Sequence, residues 1–196
     1  MFVVLTSLSP SKRVALLRIV FGVVWLVDTA LKFQPSFYHG LLTSIVTKDI
    51  GEPSWLNPWF HTWYKIIGLN PDLFAIIIII IEVLFTLSLI LGIGRRVIYL
   101  IGASFMFLVW GIGEAFGGPY VAGTTDINAG FIYVLVFLLL YVCEGLVAPV
   151  WSLDNYIAKH FRWWTRIANP PTNTIIKQTG TKDEPTVKTN SRKNNR

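Results

Sequence analysis

Four apolar blocks, each close to twenty residues long, leave this chain few ways to fold. They run from about Val14 to Phe33, Leu73 to Leu91, Val97 to Phe116 and Ile127 to Val147 (spans 14–33, 73–91, 97–116 and 127–147). A helix rises about 1.5 Å per residue, so each block matches the roughly 30 Å hydrocarbon core of a bilayer. Residues 76–81 are all isoleucine. In water such a run suggests a buried strand. Inside so long an apolar block, backbone groups must pair within their own segment, and that requires helix. Only 14% of the residues are charged, against about a quarter in a soluble domain. The expected fold is an all-α membrane protein, with residues 1–150 forming one four-transmembrane-helix bundle.

Basic residues set the orientation. Lys12 and Arg13 precede the first block, Arg95 and Arg96 sit between the second and third, and the C-terminal region is rich in Lys and Arg. The loop at 34–72 holds only Lys48 and Lys65, offset by Asp49 and Glu52, and the loop between the third and fourth blocks has no base. Positive-inside logic then places both termini in the cytoplasm of a multi-pass protein of the cell (plasma) membrane. No small-residue cleavage site follows the first block, and Arg18 and Asp28 interrupt it, which fits a retained helix. The net charge of +6 does not call for nucleic acid, because about half of the basic residues lie beyond Trp151. Next to a bilayer, such a region reads as a topology and anionic-lipid signal.

Two regions outside the blocks carry helical patterns. In the outer loop, Asn57-Pro58 predicts a cap with proline at the first helical position, and Gly68 a stop. Between them Trp59, Trp63, Ile66 and Ile67 share a face; with Trp55 and Tyr64 they suit the headgroup layer. Upstream, Phe37, Leu41, Leu42 and Ile45 predict a second short amphipathic helix. Residues 151–168 alternate aromatics (Tyr156, Phe161, Trp163, Trp164) with Lys159, Arg162 and Arg166, as an interfacial helix does. Pro170-Pro171 ends it, and the basic tail at 169–196 is expected to be disordered.

One cysteine, Cys143, and three scattered histidines, His39, His61 and His160, give no ligand set for a metal or haem. The informative residues are charges inside the spans, each costing roughly a few kcal/mol unless paired or wetted. At about 100° per residue, Arg18, Trp25, Asp28 and Lys32 share one face of the first helix, and Asp28 and Lys32 are spaced for an ion pair. Glu82 stands mid-way along the second helix. Trp110 and Glu114 end the third and lead into Gly117-Gly118-Pro119-Tyr120 and Gly123-Thr124-Thr125-Asp126. Topology gathers Asp28, Lys32, Trp110, Glu114 and Asp126 at the outer end, with Glu82 as the floor of one expected cavity. Plainer roles stand beside this one. Asp126 caps a helix, Arg18 and Lys32 snorkel, Asp28 neutralises Lys32, and Glu144 is interfacial.

The same residues carry a resemblance. The stretch Leu17 to Asp28 followed by Lys32-Phe33, then Glu82 with Leu91-Gly92-Ile93-Gly94-Arg95-Arg96, is similar to the DoxX family. The run from Trp110 to Tyr120 with Gly123-Thr124-Thr125-Asp126 resembles the DoxD-type membrane subunit of thiosulfate:quinone oxidoreductase. The likeness covers roughly residues 13–150 and leaves out the tail. It implies oxidation of thiosulfate or a related small sulfur anion outside the membrane, with quinone as electron acceptor. In that reading Arg18, Lys32, Gly117, Gly118, Thr125 and Asp126 bind the anion. Glu82, Glu114 or Asp28 handles protons, and Trp25 and Trp110 line the quinone pocket. Electrons pass directly or through other membrane-complex subunits or a second copy. The competing readings are a non-catalytic DoxX-type anchor or assembly subunit and, with less to support it, a proton-linked carrier.

Overall fold

The computed structural model describes residues 7–47, 52–118, 127–161 and 163–168. Among these the chain is helical and has no strand. Its elements are α1 (Pro10–Lys32), α2 (Pro35–Val46), α3 (Asn57–Gly68), α4 (Pro71–Leu91), α5 (Arg95–Gly113), α6 (Ala129–Leu146), α7 (Asp154–His160) and α8 (Trp164–Ala168), with 3-10 turns at Ser54–Leu56 and Ala115–Gly117. By length and composition α1, α4, α5 and α6 are long and apolar enough to cross a membrane. Their ends lie within a few residues of the expected ones. The expected interfacial helix at 151–168 is instead two short helices separated near Phe161. The tail at 169–196 lies outside the described residues.

Local chemistry accounts for most of the ends. α4 starts where the Asn70 side chain accepts from Leu73 N (3.1 Å), with Pro71 at its first position. It stops at Gly92, whose φ of +67° is the left-handed turn that glycine adopts without steric penalty. α3 departs from its expected start. Asn57 is the first helical residue and Leu56 the cap, because the 3-10 turn at Ser54–Leu56 already leads the chain in.

α1 lies against α4 and α5 against α6, with α1 also touching α6. Two small residues permit the close approaches. A Cβ on Gly22 would come within 2.8 Å of the Ile90 side chain, and one on Gly102 within 2.6 Å of the Phe137 ring. Phe21, Trp25, Phe85 and Phe137 fill the centre with edge-on and tilted rings, Trp25 to Phe85 at 5.4 Å and Phe21 to Phe137 at 5.1 Å. The outward rows, among them Val20, Val27, Leu31, Ile80 and Leu84, stay exposed. Such apolar rows on all four long helices are what a hydrocarbon medium would cover.

The pairing of α1 and α4 is offset. Thr29 meets Thr86 (3.2 Å) and Lys32 meets Glu82, so α4 continues about three turns beyond the end of α1. The loop helices use this extra length. Leu41 and Ile45 of α2 and Ile67 of α3 pack with Ala75 of α4 and Ile112 of α5. Trp59 Nε1 donates to Gly111 O at 3.0 Å, and Phe60 is fully buried. The aromatic cluster expected to face the headgroup layer is therefore largely turned against protein, and Trp55 is its exposed member.

Candidate functional site

Three polar groups hold the inter-span charges. The first is built on Lys32, at the last turn of α1. Its Nζ donates to Asp28 Oδ2 at 2.5 Å, one turn back, and to Glu82 Oε1 at 2.7 Å on α4. Glu82 is buried, and its Oε2 has no hydrogen-bond partner among the described residues. The Asp28 side chain is 41% exposed. With both carboxylates ionised, the group carries one net negative charge. Asp28 and Lys32 form one wall of a cleft of about 410 Å³, which Leu31 and the α2 residues Ser36, Phe37, Gly40, Leu41 and Ser44 also line. The three small α2 residues recur every fourth position and so occupy one stripe, which leaves room for the cleft. Phe37 stands with its ring centroid 6.0 Å from Lys32 Nζ.

The second group is a corner where α5 ends and α6 begins. Glu114 Oε2 accepts from Gly130 N (2.9 Å), and Trp110 Nε1 donates to Ile127 O (2.8 Å). Glu114 therefore satisfies an early amide of α6 from a neighbouring segment. Ala115, Phe116 and Gly117 all have positive φ, at 48°, 56° and 89°. For the two non-glycine residues this costs about 1–2 kcal/mol each. The turn sets the Phe116 ring edge-on to Trp110 at 5.2 Å and tilted to Trp59 at 5.8 Å. The Gly117 and Gly118 amides donate to Glu114 O (2.8 Å) and Ala115 O (3.0 Å), so they are engaged within the turn. Against Gly118 lies the Glu52 carboxylate, which would overlap a Cβ placed there. Burial pushes the Glu52 carboxyl above its usual range.

The third group lies at the opposite end and joins four buried charges. Glu144 Oε2 meets Arg95 Nη1 at 2.7 Å, and Glu144 Oε1 lies 3.9 Å from Arg18 Nε. Asp154 Oδ2 accepts from Arg95 Nε at 2.9 Å. Asp154 also accepts from Gly94 N (2.8 Å), Arg95 N (3.3 Å) and Trp164 Nε1 (2.8 Å), which caps α5 from a remote segment. Arg18 Nη2 donates to Trp151 O at 2.6 Å.

Several sequence-based assignments change. Asp28, Lys32 and Glu82 do meet. Arg18 stands about 21 Å from Lys32 along the same helix and belongs to the third group, so the two cannot hold one anion. Glu144, expected at the interface, is buried and paired because two arginines converge on it. Trp25 is 1% exposed and packs among Phe21, Phe85, Tyr133 and Phe137, so it fills the core and does not border the cleft. Trp110 and Glu114 line the corner and are not among the residues that line the cleft beside Lys32. Thr125 and Asp126 lie outside the described residues. The sequence reading missed Asp154 and the roles of Arg95 and the α2 stripe. An acid inside the basic, aromatic stretch at 151–168 was the available signal for Asp154, and the Ser36-Gly40-Ser44 spacing for the stripe. No cluster of metal-ligating side chains occurs among the described residues. Comparison with family models, curated proteins and solved structures finds no match.

Proposed function

We propose that this chain is the membrane subunit of a quinone-linked oxidoreductase of DoxX type, with both termini in the cytoplasm and Asp28, Lys32 and Glu82 handling protons beside the cleft. The observation that carries this reading is Lys32 held between two carboxylates at 2.5 and 2.7 Å on the wall of an open cleft. Quinone reduction takes up two protons with two electrons, and a group with more acids than bases at a water-accessible edge is suited to deliver them. The Phe37 ring and the apolar side chains of Leu31 and Leu41 give the cleft a face for a flat, apolar headgroup.

The donor anion is assigned to a partner subunit. Lys32 is already neutralised by two acids, the Gly117 and Gly118 amides are engaged, and Glu52 adds negative charge beside Gly118. A sulfur dianion would meet net negative potential at both places. A second reading, a non-catalytic anchor or assembly subunit, is favoured by the mechanical duties of the same residues. Lys32–Glu82 ties α1 to α4, and Glu114 ties α5 to α6.

One experiment separates the two. The protein is purified in mild detergent with its co-purifying subunits, and quinone reduction is measured with thiosulfate and with other donors. On the proton-handling reading, Lys32→Met with Glu82→Gln reduces turnover at least about 100-fold, the scale of a lost acid–base group, while the complex stays assembled. Full turnover in that variant refutes it. Loss of co-purifying subunits with residual turnover unchanged per assembled complex supports the anchor.

A further inference from the structure

We infer that the Arg95 end of the bundle is a preformed binding surface for anionic phospholipid headgroups, built by Trp151, Tyr156, Lys159, Phe161, Trp163 and Arg166 with Lys12. This surface is remote from the Lys32 cleft and independent of the redox reading.

The charge distribution at this end is one-sided by construction. Among the described residues its acids are Glu144 and Asp154, and both are buried against Arg18 and Arg95. What remains on the surface is cationic: Lys12, Lys159 and Arg166 are exposed. Interleaved with them are exposed aromatics, Trp151 at 53%, Tyr156 at 64%, Phe161 at 54% and Trp163 at 57%. A bare aromatic patch of this size would be a liability in water. At a headgroup layer, rings and cations together are the usual anchoring set.

The surface is also held rigidly in place. Leu153 N and Asp154 N donate to Leu91 O (3.0 Å) and Gly92 O (3.2 Å), and Ser152 Oγ donates to Gly92 O (2.7 Å). Arg96 Nη1 donates to Arg166 O (3.3 Å), which braces α8 against α5. Trp151 has φ of +50°, a left-handed conformation unfavourable for a bulky residue. It is retained because the Trp151 carbonyl receives the buried Arg18 guanidinium, and the indole is left outside. The chain thus accepts local strain at a residue whose ring it leaves exposed.

The test uses the full-length protein in nanodiscs of phosphatidylcholine, with or without phosphatidylglycerol. Retained lipid is read by native mass spectrometry after partial delipidation. Wild type should retain phosphatidylglycerol in preference to phosphatidylcholine. Each cation near a charged leaflet contributes a roughly constant increment, so Lys159→Gln with Arg166→Gln should weaken retention about thirtyfold. Lys12→Gln alone should weaken it about fivefold. Lys65→Gln, at the other end, should leave it unchanged. Equal retention of the two lipids, an equal loss with Lys65→Gln, or full displacement of the lipid by inorganic phosphate overturns the proposal.

Discussion

Replacing Arg95 by methionine should destabilise this fold strongly. Arg95 is 2% exposed and contacts two carboxylates, at 2.7 and 2.9 Å. Removing it affects them unequally. Asp154 keeps the Gly94 and Arg95 amides and the Trp164 indole as donors. Glu144 loses its short partner and keeps the longer 3.9 Å contact with Arg18 and the neighbouring Tyr99 side chain. Glu144 becomes the less well compensated buried charge, and breaking such a pair costs about 3–5 kcal/mol. For a domain of this length that corresponds to a melting-temperature loss of about 6–20 °C. Adding Glu144→Gln to Arg95→Met removes the Glu144 charge, so the double variant should be more stable than Arg95→Met alone. Thermal unfolding in detergent, followed by far-ultraviolet circular dichroism, reads both. A loss under about 2 °C for the single variant, or strictly additive losses in the double, would refute the reasoning.

Two further outcomes are expected. The Glu52 carboxyl is raised by burial, so the folded state holds its proton more tightly than the unfolded chain. Its contribution to stability is then greatest below the usual carboxylate range and falls as pH rises through the raised value. Glu52→Gln should raise the melting temperature at neutral pH and leave it unchanged in acid; a lower melting temperature at neutral pH counts against the assignment. In a Cys143→Ser background, Lys159→Cys should react with a membrane-impermeant thiol reagent from the cytoplasmic side and Lys65→Cys from the other. Reaction from one side only contradicts the four-span arrangement.

The fold was legible because lipid solvation imposes a length and composition on each crossing segment, and 14–33, 73–91, 97–116 and 127–147 all carry it. The Asp28–Lys32 pair was legible for the same kind of reason, since an i, i+4 spacing within one helix needs no tertiary knowledge. Glu82 joined them through topology. The pairing of Arg18 with Glu144 and the burial of Trp25 among other rings were not legible. They depend on how α1 seats against its neighbours, which spacing along one helix does not give. The pairing of Arg95 was missed for a related reason. A base in a short turn looks the same in sequence whether it meets water or a remote acid, and Asp154 lies 59 residues further on.

That separation bears on how the protein is made. A nascent chain emerges from the ribosome in order, so Arg95 is made 49 residues before Glu144 and 59 before Asp154. Arg18 waits longer still. During that interval two guanidinium groups have no carboxylate to meet at this end of the bundle, and the turn between α4 and α5 lacks the side chain that caps it. α1 and α4 can pair through their own contacts, Lys32 to Glu82 and Thr29 to Thr86, but this end of the bundle closes only once residues 144–154 have been made.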